Sequence, residues 1–155
     1  MKKIICFDLD GTLVDLYGVD GWLADILKRN VRPYEIAKPL YNVELLNTLL
    51  KNIKNDYEVH VVTWLAKGTT TKYGVEVAKT KKIWLDTKEF PYDEIHYLPY
   101  GTSKAKYIKN KLKIKEAVII DDDIRVRNDW KIGKAYNPKV EKVEDIILKI
   151  AAMTA

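Results

Sequence analysis

Short apolar runs punctuate this chain, and longer stretches with helical spacing of apolar residues separate them. Lys3–Phe7 (KIICF), Val59–Thr63 (VHVVT), Ile95–Leu98 (IHYL) and Ala117–Ile120 (AVII) are almost continuously apolar, and Ile132–Tyr136 (IGKAY) is a weaker fifth run. Runs of this length without polar alternation predict strands covered on both faces, as in a parallel sheet. Asp20 is placed to cap a helix through about Arg29, with Trp22, Leu23, Ile26 and Leu27 on its apolar face. Asn42 is placed to cap a second, with a stripe of Val43, Leu46, Leu49, Leu50 and Ile53. A third helix is predicted from about Tyr73 to Thr87, a fourth after Ser103 with Ala105, Ile108 and Leu112 inward, and a last from about Val143 to Ala152. Val31–Tyr41, with Pro33 and Pro39, reads as an irregular connection. This alternation predicts an α/β fold of three layers, α/β/α and Rossmann-like, around a mostly parallel five-stranded sheet.

Composition narrows the class. A length of 155 residues suits one domain, read here as residues 1–155. With 47% hydrophobic and 32% charged residues the chain reads as globular and soluble. No apolar run approaches the ~18 residues of a membrane span. Asp8 and Asp10 cut the first apolar run well short of the ~7–15 residues of a signal-peptide core, so a cytoplasmic protein without membrane partners is expected. One cysteine, Cys6, excludes a disulfide framework, and two histidines, His60 and His96, exclude a three-histidine metal site. Both histidines sit within apolar strands and read as satisfied core or edge residues. The chemistry must therefore rest on carboxylates, hydroxyls and lysines. The net charge of +5 is compatible with anionic substrates or nucleic acid and proves neither.

In an open parallel sheet, ligands bind beyond the carboxyl ends of the strands. The first strand runs into Asp8-Leu9-Asp10-Gly11-Thr12-Leu13, where Asp8 and Asp10, two apart, can converge and Gly11 lets the backbone turn. The second strand ends in Thr63, the fourth in Asp121-Asp122-Asp123, and Lys104 stands at a helix start, where backbone N–H groups already favour an anion. Each piece alone is ordinary turn or surface chemistry. Together they form a plausible phosphoryl-transfer site, in which carboxylates hold Mg²⁺, a lysine neutralises charge and one carboxylate attacks phosphorus.

These residues resemble the haloacid dehalogenase superfamily of phosphatases. Its DxDGT[LV] motif matches Asp8–Leu13, its strand ending in Ser or Thr matches Val59–Thr63, its helix-start lysine matches Lys104, and its Asp-Asp strand end matches Ile119–Asp122. The resemblance implies that Asp8 is the nucleophile and a metal contact. It implies that Asp10 is the general acid and base, with its backbone carbonyl on Mg²⁺. Thr63 would bind phosphoryl oxygens, Lys104 would offset charge, and Asp122 would be the direct metal ligand, with Asp121 behind it or as an alternative ligand. Gly11, Thr12 and Trp64 are assigned to substrate binding, with Trp64 beside Thr63 read either as a stacking surface or as a packing residue at the strand end. One position departs: Val126 stands where the superfamily often has a further Asp or Asn, with Asp123 and Asn128 as substitutes. Asp15–Val19, Pro33-Tyr34-Glu35, Ala37–Leu40, Trp64-Leu65 and Pro99–Lys104 look like a small phage and bacterial group described as 5′-nucleotidase-like.

Between Asp10 and Thr63 lie 52 residues and between Thr63 and Lys104 lie 40, most of them committed to helices and strands. Only a minimal cap-like insertion, about residues 15–41, is expected, with an open site. The implied function is an Mg²⁺-dependent phosphomonoester hydrolase acting on a nucleotide or related small ester. Polynucleotide 3′-phosphate ends are the variant, and a non-catalytic phosphate- or nucleic-acid-binding module is the alternative. Cys6 does not begin a Cys-x5-Arg loop, since Thr12 holds the sixth place, and no Walker P-loop occurs. Lys104, Lys106, Lys109, Lys111, Lys113 and Lys115 read mainly as a solvated face. Oligomeric state is not legible.

Overall fold

A computed structural model describes residues 1–154. β1 (Lys3–Phe7) lies at the middle of a sheet ordered β3-β2-β1-β4-β5, with β2 at Tyr57–Leu65, β3 at Glu94–Pro99, β4 at Val118–Ile120 and β5 at Ala135–Tyr136. Every neighbouring pair is parallel. Strand order therefore reverses at the β1–β4 junction, where an open α/β sheet leaves a crevice beyond its carboxyl ends. The weak fifth run contributes only its last two residues, because Gly133 takes a positive φ just before them.

The two sides of the sheet are packed by different helices. Ile5, Phe7, Val59, Val61 and Ile120 face α3 (Val43–Asn52), α4 (Lys72–Thr87) and α7 (Val143–Thr154). Ile4, Cys6, Val62 and Ile119 face α5 (Lys104–Leu112) and α6 (Ile124–Asp129). This period-two division, applied one step further along each strand, decides where the polar residues beyond the strand ends point. Caps fix the helix starts: Asn42 accepts from Leu45 N–H at 3.0 Å and Ser103 from Lys106 N–H at 3.1 Å, as their sequence positions suggest. No helix among the described residues is long and apolar enough to cross a membrane.

The segment after β1 departs from expectation. Asp20 caps nothing; α1 (Trp22–Leu27) starts behind Gly21, whose φ is +77°, and it buries Ile26 while Leu23 and Leu27 stay exposed. The supposed irregular connection contains α2 (Arg32–Ile36), because Pro33 sits in the first turn, where its missing N–H costs nothing. Asp123 caps α6, a further helix not anticipated. A 3₁₀ turn at Leu16–Gly18 completes the segment. Leu16, Ile26 and Tyr34 from it pack with Leu65, Tyr73 and Val77 as a small cluster beside the carboxyl end of β2.

Candidate active site

Asp8 and Asp121 follow β1 and β4 directly and lie on the α5 side of the sheet. There they meet Lys104, the first residue of α5. Its Nζ is 2.9 Å from Asp8 Oδ1 and 2.8 Å from Asp121 Oδ2, and the side chain is almost wholly buried. The Asp8 and Asp121 carboxylates hold the Lys104 ammonium above its ordinary pKa, against the effect of burial. Burial pushes Asp8 up, but Lys104 and the hydrogen bonds to its carboxylate outweigh it, so Asp8 stays below the usual carboxylate range. Thr12 Oγ1 lies 3.0 Å from Asp8 Oδ2 and 3.3 Å from Asp122 Oδ1, and accepts the Asp122 N–H at 3.1 Å. Its hydroxyl is thus spent on tying the two strand ends together, and Thr12 is buried.

Thr63 lies on the opposite side of the sheet, under α4, and there the structure adds a residue that sequence reasoning missed. Lys81 is 2% exposed, and its Nζ lies 2.9 Å from Asp10 Oδ2, 2.7 Å from Thr63 Oγ1 and 2.9 Å from the Trp64 carbonyl. A signal was present: Val77, Lys81 and Leu85 follow each other at four-residue spacing on the buried stripe of α4, so the helix period places this lysine inward. Burial pushes Asp10 up despite Lys81. Asp10 Oδ1 is buried with no partner among the described residues.

Gly11 has φ +83°, and a Cβ there would collide with the Asp122 carboxylate and the Tyr17 ring. Its N–H closes the turn on Val14 O at 2.8 Å. Trp64 anchors its indole N–H on Thr102 O at 3.0 Å, with the Tyr100 ring 5.1 Å away and the Arg125 guanidinium 5.4 Å over its face. Asp8, Asp10, Tyr17, Trp64, Lys104 and Asp122 share a cavity of about 330 Å³. A larger one of about 1010 Å³ lies on the other side of Gly11 and Tyr17, with Lys139 and Lys142 in its wall.

The donor set suits a divalent cation. Asp8, Asp121 and Asp122 each offer a carboxylate oxygen within 4.8 Å of the others. Burial, then the neighbouring Asp8, pushes Asp121 up to about 7 and Asp122 up to about 8. Lys104, with the exposed Lys139 3.9 Å from Asp122, does not balance three carboxylates, and hard oxygen donors in surplus negative charge fit Mg²⁺ chemistry. Both Asp121 oxygens are engaged, by Lys104 and by the Asp123 N–H at 2.9 Å. Asp122 Oδ2 lies 3.9 Å from Lys139 Nζ. Val126 is buried in the α6 packing, Asp123 is committed to its cap and to Arg125, and Asn128 is exposed. Cys6 is fully buried and its thiol is pushed well up, so it takes no part. Beyond Lys104, the lysines at 106, 109, 111, 113 and 115 are exposed.

No family model matches the chain, and neither does any curated protein. Solved structures do. A chain of the Pnkp1/Rnl/Hen1 RNA repair complex aligns over 88% of this chain and 42% of its own, with a TM-score of 0.57 and 18% identity. A second structure of that complex aligns over 88% and 45%, at 0.54 and 20%. This chain thus spans less than half the length of those chains. D,D-heptose 1,7-bisphosphate phosphatase from Burkholderia thailandensis aligns over 97% of this chain and 99% of its own, with a TM-score of 0.59 and 11% identity. The nucleotidase-like grouping draws no support from these likenesses. At such identities they show a shared fold: a parallel α/β/α core of the kind that the resemblance to the haloacid dehalogenase superfamily implies.

Proposed function

We propose that the chain is an Mg²⁺-dependent phosphomonoester hydrolase that works through an aspartyl-phosphate on Asp8. The observation that carries this is the opposite treatment of two neighbouring carboxyls. Lys104 and Thr12 keep Asp8 ionised in a buried place, while burial pushes Asp10 towards its protonated form. Environments that drive a carboxyl pair apart assign a nucleophile and an acid. In the first step Asp8 attacks phosphorus in line, the bond to the leaving oxygen breaks, and Asp10 gives that oxygen its proton. In the second, Asp10 takes a proton from the water that hydrolyses the acyl phosphate. Lys104 offsets negative charge throughout, and Thr63 is assigned to phosphoryl oxygens. Asp8, Asp122 and the Asp10 carbonyl, with Asp121 behind, would hold the metal, which would supply electrostatic stabilisation of the phosphoryl group.

A nucleotide-like substrate is favoured by the Trp64, Tyr100 and Arg125 rim, which offers π-faces and a cation at the mouth of the cavity. The segment of about residues 15–41 serves as a minimal cap, so the site also admits a polynucleotide 3′-phosphate end. That variant is supported by the fold shared with the RNA repair chain. The test is a phosphate-release screen over nucleotides, sugar phosphates and 3′-phosphorylated oligonucleotides, with and without Mg²⁺. Release that exceeds an Asp8→Asn control is expected; equal release from both proteins would refute the enzyme and leave a binding module.

A further inference from the structure

We infer that Lys81 is the positioning residue of Asp10: it anchors the carboxyl through Oδ2 and so fixes the orientation in which Asp10 serves the leaving group. This rests on the phosphatase reading. The three protons of the Lys81 ammonium have three oxygen acceptors, on Asp10, Thr63 and the Trp64 backbone, and the Tyr34 ring lies 5.3 Å from the nitrogen. An ammonium so engaged has no proton left for a phosphate, so Lys81 acts through its neighbours. On Asp10 it takes Oδ2 and leaves Oδ1, the buried oxygen without a partner among the described residues. With Oδ1 closed off, the orientation of the carboxyl towards the cavity is set at the oxygen that Lys81 holds.

The backbone alone does not supply this orientation. Asp10 lies beyond β1, and among the described residues its ladder contact is an isolated bridge to Val14. Lys81 joins it to the carboxyl end of β2, so that acid and phosphoryl-binding hydroxyl share one anchor. Packing does not require the charge here, because buried ion pairs are commonly replaced by apolar residues of similar volume without loss of stability. A lysine in this position is better accounted for by orientation than by stability.

The test exploits leaving groups. A phenolate departs without a proton, whereas an alkoxide needs one. Lys81→Met is compared with the wild type on an alkyl phosphate found in the release screen and on p-nitrophenyl phosphate. kcat/KM, which reports the steps up to departure of the leaving group and not the later water step in which Asp10 is the base, is expected to fall about 100-fold or more for the alkyl ester and about 3-fold or less for the aryl ester. Thermal melting establishes that the variant is folded, and Lys81→Gln, which should show the same selectivity, replaces it if it is not. Equal losses of kcat/KM on both esters mark a structural role and overturn the inference. A wild type that hydrolyses neither ester overturns the phosphatase reading and this inference with it.

Discussion

Lys104 Nζ lies 2.9 Å from Asp8 Oδ1, joining the end of β1 to the start of a helix 96 residues later. The same ammonium holds Asp121, so two buried carboxylates depend on one cation. Lys104→Met leaves both without it, and removing one partner of a buried pair costs roughly 3–5 kcal/mol. Urea unfolding at pH 8 without metal should show a loss of that order. It should shrink towards pH 5, because protonation of the stranded carboxyls relieves the repulsion. An unchanged urea midpoint would show that the pair contributes nothing to the fold.

The crowding of Asp8, Asp121 and Asp122 gives a second expectation. Asp122 is pushed up in the folded chain, so its charged form opposes folding and that cost grows as pH rises through about 8. Asp122→Asn should therefore raise the melting temperature of the metal-free protein at pH 8.5. The wild type should gain stability on adding Mg²⁺, by about 2.7 kcal/mol at 100 times its Kd. The variant should lose most of that gain. Calorimetry with EDTA and with Mg²⁺ reads both effects, and parallel Mg²⁺ responses would remove Asp122 from the metal site.

Sequence reasoning located Asp8 and Asp121 because continuous apolar runs end visibly there, and Lys104 because Ser103 marks the start of its helix; Thr63, expected at the end of its strand, lies inside β2, which runs on to Leu65. It missed what depends on tertiary partners. Lys81 is a lysine on a lysine-rich helix, and only the inward stripe Val77–Lys81–Leu85 betrays it. Thr12 stands in a motif that suggests substrate contact, yet its hydroxyl is consumed between Asp8 and Asp122. Leu23 and Leu27 fit a helical stripe, but α1 is under two turns long and only Ile26 reaches the cluster with Leu16 and Tyr34. Pro33 was misleading because a proline interrupts a helix only away from its first turn.

Trp64 separates nucleotide-like from other substrates. Stacking of one base on an aromatic ring is worth about 1–3 kcal/mol, or about 5- to 150-fold. Trp64→Leu should raise KM for a nucleoside monophosphate by a factor in that range and leave KM for glycerol phosphate unchanged, whereas Trp64→Tyr keeps a π-face and should lose less. Steady-state kinetics on the two esters decide it. A rise shared by both would mean that Trp64 only supports the loop it holds through Thr102.

His96 gives the chain a pH dependence away from the site. Its Nε2 lies 2.9 Å from His60 Nδ1 and 3.5 Å from a Glu94 carboxylate oxygen, and its Nδ1 lies 3.3 Å from the Tyr107 hydroxyl of α5. His60 Nε2 in turn lies 3.0 Å from a Glu58 oxygen. A consistent hydrogen-bond order runs from Tyr107 O–H to His96, from His96 N–H to His60, and from His60 N–H to Glu58. Burial, and then the charge of His60, pushes His96 down to about 4; Glu94 opposes this and Lys111 adds to it. Above its ordinary value of 6.5 the ring is neutral in the folded and unfolded chains alike, so the contribution is constant there. As pH falls from 6.5 towards 4, the unfolded chain takes up a proton that the folded chain refuses, and stability declines across that window. NMR of the His96 Cε1–H should give a midpoint near 4, with the urea-derived stability falling over the same range. A midpoint near 6.5 would mean that the ring is open to water and that the His60–His96 hydrogen bond does not persist in solution.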